Sequence, residues 1–224
     1  MVGVLGVSAS AILVRFSQAP SGVTAAYRLG WTVLLLLPVV LLRCRAELRR
    51  VTARDLVLCG ASGVLLALHF LTWFESLKRT SVASSTVLVS TEVIFTALGF
   101  ALFLHGKIPR LGVWAILLAF GGSALLALSG GGGAGELSGN LLALAAASAA
   151  AVYTLIGRIQ RGHLSTTVYT FLTYLACFLA LLLGTAAAGT PLTGYGGREW
   201  LIGLALAVLC TLLGHSLFSW CLKY

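Results

Sequence analysis

Eight apolar runs, most of them close to bilayer length, are separated only by short polar or Gly/Pro breaks: Val2–Phe16, Gly22–Leu42, Asp55–Leu77, Val82–Leu104, Leu111–Ser129, Leu137–Gly157, Leu164–Ala188 and Trp200–Leu222. A helix crosses the hydrocarbon core with roughly 20 mostly apolar residues. In water, a chain of 224 residues could not bury so many of them. Only 9% of its residues are charged, against roughly a quarter in a soluble domain. The breaks are tight, as at Gln18–Ala19–Pro20–Ser21 and Gly106–Lys107–Ile108–Pro109, and short connections make antiparallel neighbours. The apolar/polar alternation of membrane barrel strands is absent. The expected fold is an all-α polytopic membrane helical bundle with eight transmembrane helices.

The formal net charge of +9 would suit nucleic acid, but its placement does not. Basic residues gather at the ends of apolar runs, with no basic stripe interleaved with aromatics, so no nucleic-acid partner is expected. Arg43, Arg45, Arg49, Arg50, Arg54, Lys107, Arg110, Arg158, Arg161 and Lys223 fall on one side of the eight-span arrangement. Arg15, Lys78, Arg79 and Arg198 fall on the other. The positive-inside rule then places the N-terminus in the cytoplasm of a cell with this chain in its inner or plasma membrane. The first apolar run has no basic segment before it and no A-x-A cleavage site, and reads as a retained span rather than a signal peptide. Cys44, Cys59, Cys177, Cys210 and Cys221 are odd in number and form no CxxC, so they read as small apolar fillers rather than disulfide or metal ligands. No metal and no cofactor is expected.

The chain also resembles itself. Gln18, Thr24 and Tyr27 recur at one constant offset as Gln160, Thr166 and Tyr169, and Leu77–Lys78 recurs with a small slip as Leu222–Lys223. Five spans separate the paired positions, and an odd number turns the second copy upside down in the membrane. Inverted repeats of this kind are a mark of secondary transporters, where rocking one repeat against the other gives alternating access. Thr24, Tyr27, Arg28 and Trp31 share one helical face of the second span, and Thr166, Tyr169, Thr170 and Thr173 share the matching face of the seventh. Such stripes suit a central pathway, and they equally suit interhelical hydrogen bonding.

Three stretches carry a family likeness: Ala11–Pro38 (AILVRFSQAPSGVTAAYRLGWTVLLLLP), Phe70–Gly99 (FLTWFESLKRTSVASSTVLVSTEVIFTALG) and Leu213–Tyr224 (LGHSLFSWCLKY). In these the chain resembles the EamA-type transporters of the drug/metabolite transporter superfamily. The resemblance implies two inverted five-helix repeats, here residues 1–130 and 136–224, the second incomplete with three helices. It implies carriage of a small metabolite and marks Arg28 as the family's usual arginine in the second helix. Val93 stands where many members have Pro, and Gly106–Lys107 where many have Gly-Glu. The sequence given ends at Tyr224, where the resemblance expects two further helices. That end would leave one wall of the pathway to lipid or to a second copy in a homodimer.

Ionisable groups within a span are costly and face a protein interior or a wet cavity. With a rise of about 1.5 Å per residue, Arg28 lies about 9 Å and Glu75 about 5 Å below the outer boundary, with His69 and Glu92 near the midplane. Arg28 reads as an anion-binding or gating group, or else as an ion pair with Glu75 or a snorkelling side chain. Glu75, beside Lys78 and Arg79, reads as interfacial and structural. Glu92 shares a face with Ser81, Ser85, Thr96 and Gly99 and is the first candidate for proton exchange, the alternative being a single interhelical hydrogen bond. His69 reads first as a packing residue, with proton exchange to Glu92 as its functional alternative; His215 is its approximate repeat counterpart. Gly130–Gly133 lacks the Gly-Lys-Ser/Thr of a phosphate loop, and no HExxH or GxSxG is present, leaving a membrane-embedded enzyme without machinery. The expected function is secondary transport, with export favoured, of a small polar metabolite past Glu92, His69, Arg28, Thr24, Tyr27, Thr166, Tyr169 and Thr170. The alternatives are a non-transporting truncated fragment or scaffold, and a membrane-embedded enzyme.

Overall fold

The computed structural model describes the backbone of residues 2–106, 108–129 and 134–215. Among these residues all the regular structure is helical, without strands. The helices are α1 (Val2–Phe16), α2 (Ser21–Arg43), α3 (Arg45–Leu48), α4 (Ala53–Arg79), α5 (Val82–Ser90), α6 (Glu92–Phe103), α7 (Arg110–Ser129), α8 (Ala134–Gln160), α9 (Thr166–Ala187) and α10 (Gly197–Ala205), followed by a π-helical stretch, Leu206–His215. The expected Gly130–Gly133 linker and the end of the eighth span lie outside the described residues, as does the side chain of His215.

Local chemistry sets most boundaries. Ser81 and Ser165 cap α5 and α9 by accepting from the amides of Ser84 and Val168 at 3.0 and 3.3 Å. Thr52 and Asp55 form a reciprocal capping pair at the start of α4, each accepting from the other's amide. At the end of α9, Gly189 takes φ +67°, and the amides of Gly189 and Thr190 fold back to Ala186 and Thr185. This is a Schellman closure, and its left-handed position is one that glycine occupies without strain.

Ser21–Arg43, Ala53–Arg79, Val82–Phe103, Glu136–Gln160 and Thr166–Ala187 are long and apolar enough to cross a membrane by length and composition. Among the described residues, α1 with 15 residues and the described apolar helix Arg110–Gly122 within α7 (Arg110–Ser129) are shorter, and α10 continues into the π-helical stretch. The span at Val82–Phe103 is also broken. Thr91 separates α5 from α6, and its amide reaches Leu88 rather than Val87. Both Ser90 and Thr91 turn their hydroxyls back onto the helix, to the carbonyls of Thr86 and Leu88, and such back-bonding bends helices.

The chain forms two compact units, Met1–Ala67 with Ile156–Tyr224, and Leu68–Leu155. In the first, α2 packs along α9, α1 lies against the π-helical stretch, and α10 lies against α2. Glycines permit the close crossings. A Cβ on Gly63 of α4 would stand 2.6–2.7 Å from Ala176, Cys177 and Thr173 of α9, and one on Gly203 of α10 would stand 2.7 Å from Tyr27 Cβ. In the second unit, Phe70, Trp73, Phe74 and Leu77 of α4 and Ala143, Ala146, Ala147, Ala150 and Ala151 of α8 are buried. Large apolar side chains meanwhile face outward, as Leu118 (80% exposed) and Trp114 (70%) do on α7. Buried polar groups beneath an apolar exterior suit a lipid surround.

Candidate functional site

Thr24, Tyr27 and Arg28 lie on successive positions of one α2 face and are all buried. Arg28 is 0% exposed; its Nε donates to Thr211 Oγ1 at 2.7 Å and its Nη1 to Ser10 Oγ at 3.1 Å. A guanidinium held this way, with Tyr174, Cys177 and Cys210 as neighbours, is not snorkelling. Glu75 pairs with Arg79 one turn further on at 3.0 Å, partly exposed, a geometry that contributes little stability.

Tyr27 donates to the Leu192 carbonyl at 2.7 Å and stacks on Trp200 with ring centroids 4.1 Å apart. Thr24 Oγ1 lies 2.8 Å from Ser17 Oγ. On α9, Tyr169 OH lies 2.7 Å from Ser62 Oγ of α4 and beneath the Arg161 guanidinium. Thr170 donates to the carbonyl of Thr166 one turn back, so its hydroxyl serves its own helix. The two tyrosines matched in the sequence therefore do matching work, each tying its helix to the other half of the sequence, Tyr27 to Leu192 ahead of α10 and Tyr169 to Ser62 on α4.

His69 and Glu92 belong to the second unit. The His69 ring donates from Nδ1 to the Ala146 carbonyl at 3.0 Å and stacks on Trp73. Glu92 opens α6 directly after the Thr91 break and accepts from Thr154 Oγ1 at 3.0 Å. Both partners are on α8, two turns apart, which is about 12 Å of helix rise. His69 and Glu92 thus have separate partners rather than a shared bond.

Sequence reasoning missed a buried carboxylate. Glu199, in the first turn of α10 and 8% exposed, accepts from Ser17 Oγ at 2.6 Å and from the Gln18 amide at 3.1 Å. Arg198 beside it donates to the Phe16 carbonyl. The available signal was an acidic residue at the very edge of an apolar run.

A bundle of apolar helices with a buried guanidinium, buried hydroxyls and a carboxylate at a helix break is a multi-pass membrane protein. The chain belongs to the EamA-like transporter family, which matches it over residues 1–128 and 137–224. It is 24% identical over 200 residues to an uncharacterized transporter of Clostridium kluyveri, a match covering 85% of this chain and 63% of that protein. The chain therefore spans less than two thirds of the length of that curated relative. A solved crystal structure aligns with it at a TM-score of 0.63 and 19% identity, covering 99% of this chain and 78% of the other; that likeness is one of fold. Family and relative point to transport across a membrane, not to catalysis.

Proposed function

We propose that this protein is a secondary transporter that exports a small polar metabolite by alternating access between two inverted repeats, residues 1–130 and 136–224. Its pathway draws on Glu92, Arg28, Thr24, Tyr27, Tyr169 and Thr170, with Thr166 at its α9 entrance and His69 as a packing neighbour. It sits in the plasma membrane with its N-terminus in the cytoplasm, where the asymmetry of basic residues puts it.

The observation that carries this reading is Glu92 at the Thr91 break. The back-bonded hydroxyls of Ser90 and Thr91 bend the span immediately before Glu92, and an intramembrane carboxylate is a functional group by default. Among the described residues, Glu92 is bonded by the neutral hydroxyl of Thr154 and has no ion pair to lock it as a carboxylate. The test is flux into proteoliposomes of a panel of labelled amino acids, carboxylates and sugar phosphates, under an imposed pH gradient. Glu92→Gln keeps an oxygen to accept from Thr154 and should preserve insertion and folding while abolishing proton-coupled flux. Normal flux by this variant across a range of pH would make Glu92 structural.

A further inference from the structure

Two carboxylates in the first unit occupy equivalent places. Asp55 is the third residue of α4 and Glu199 the third residue of α10, and each follows an arginine, Arg54 and Arg198. Each reaches out of its helix to the chain just before a pathway helix. Asp55 Oδ1 accepts from Gln160 Nε2 at 3.2 Å, just ahead of α9. Glu199 accepts from Ser17 and the Gln18 amide, just ahead of α2. Gln18 and Gln160 are themselves a matched pair in the internal repeat.

The partners lie more than a hundred residues apart in each case, so these bonds fasten separate elements rather than a single turn. Asp55 keeps its other oxygen for the Thr52 cap, which leaves the Gln160 bond additional to what the helix end requires. Gln160 is 1% exposed, and its amide also lies over Cys59, one turn deeper in α4, with Nε2 3.9 Å from the sulfur.

We propose that these are the two gate clasps of the transporter: Asp55–Gln160 closes one end of the pathway, Glu199–Ser17/Gln18 closes the opposite end, and they open alternately. This rests on the alternating-access reading and on the odd number of spans that turns the second repeat over, which sets the starts of α2 and α9 at opposite faces. Both clasps are closed in this structure. Each is made of one or two hydrogen bonds to a carboxylate, charge-assisted and few enough to release together.

Cys59, covered by the Gln160 clasp, reports on that end. In the full chain with Cys59 as its single remaining cysteine, held in lipid nanodiscs, the measurement is the rate of modification by a water-soluble maleimide. Gln160→Met keeps the volume and removes the donor, and should raise the rate about tenfold, the shift expected for losing one charge-assisted hydrogen bond. Glu199→Met should lower the rate by a similar factor, because opening the far end favours closure of the near one. Ser17→Ala, a milder change that leaves the carboxylate and the Gln18 amide in place, should lower it with the same sign. If both Glu199→Met and Ser17→Ala leave the rate unchanged or raise it, the clasps are local staples and the proposal is overturned. The readout needs no substrate. Reciprocal labelling without flux would therefore count against the transport reading and not the clasps, and flux without reciprocity would count against the clasps alone.

Discussion

Gly63→Ala tests whether the α4–α9 crossing is as tight as its geometry implies. The added methyl would meet Ala176 Cβ at 2.6 Å and the backbone at Cys177 N and Thr173 O at 2.7 Å. Comfortable carbon contacts begin near 3.5 Å, so the shortfall is about 0.8 Å. Two of the three atoms are backbone and cannot rotate aside, so α4 must move off α9 by about that amount. The Ser62–Tyr169 bond, next along α4 at 2.7 Å, would then stretch to about 3.5 Å and be lost. Overpacking strain of about 1–3 kcal/mol and a lost hydrogen bond of about 1 kcal/mol give a destabilisation of about 2–4 kcal/mol. The control lies one turn away: a Cβ on Gly60 meets nothing within 4 Å, and Gly60→Ala should be neutral or stabilising by up to about 1 kcal/mol. Both variants are measured by SDS-titrated unfolding in mixed micelles, followed by tryptophan fluorescence. Equal stability of the two would refute the idea that Gly63 is selected by the approach of α9.

Arg28→Lys keeps the charge but cannot serve Thr211 and Ser10 in the same forked geometry; transport should fall without vanishing, and unfolding should show a loss of about 1–3 kcal/mol. Full retention of both would remove Arg28 from the pathway. Single cysteines at Arg49 and Thr193, both exposed, should label from opposite faces of the membrane, Arg49→Cys from the cytoplasm; labelling from one face would break the topology on which the inverted repeat depends.

Hydropathy made the helices legible because it reports where a chain leaves water. The run Val2–Phe16 coincides with α1 in both residues and ends, and Gly22–Leu42 misses α2 by one residue at each end. It reports nothing about continuity within lipid, so the interruption at Thr91 passed unseen inside an unbroken apolar run. The adjacent hydroxyls of Ser90 and Thr91 were the sign of it. Spacing placed Glu75 beside Lys78 and Arg79 as an interfacial group, and Arg79, one helical turn on, is the residue it pairs with. Glu199 was out of reach for the opposite reason: its partners Ser17 and Gln18 lie at the other end of the chain, and only the fold brings them to it. The repeat that matched Gln18 to Gln160 held half of that information, the half concerning what precedes each pathway helix. Of the candidate site residues, Arg28 and Glu92 stood out by charge at depth, whereas the hydroxyls of Thr24 and Thr170 are engaged locally in ways that depth cannot anticipate.

The π-helical stretch Leu206–His215 gives Arg28 an anchor of an uncommon kind. Thr211 both accepts from the guanidinium and donates to the Leu206 carbonyl five residues back, so the wide winding itself fixes where that hydroxyl points. A π-wound segment is out of phase with an α-helix of the same length, and rewinding it would swing Thr211 away from Arg28 with every residue still hydrogen-bonded along the chain.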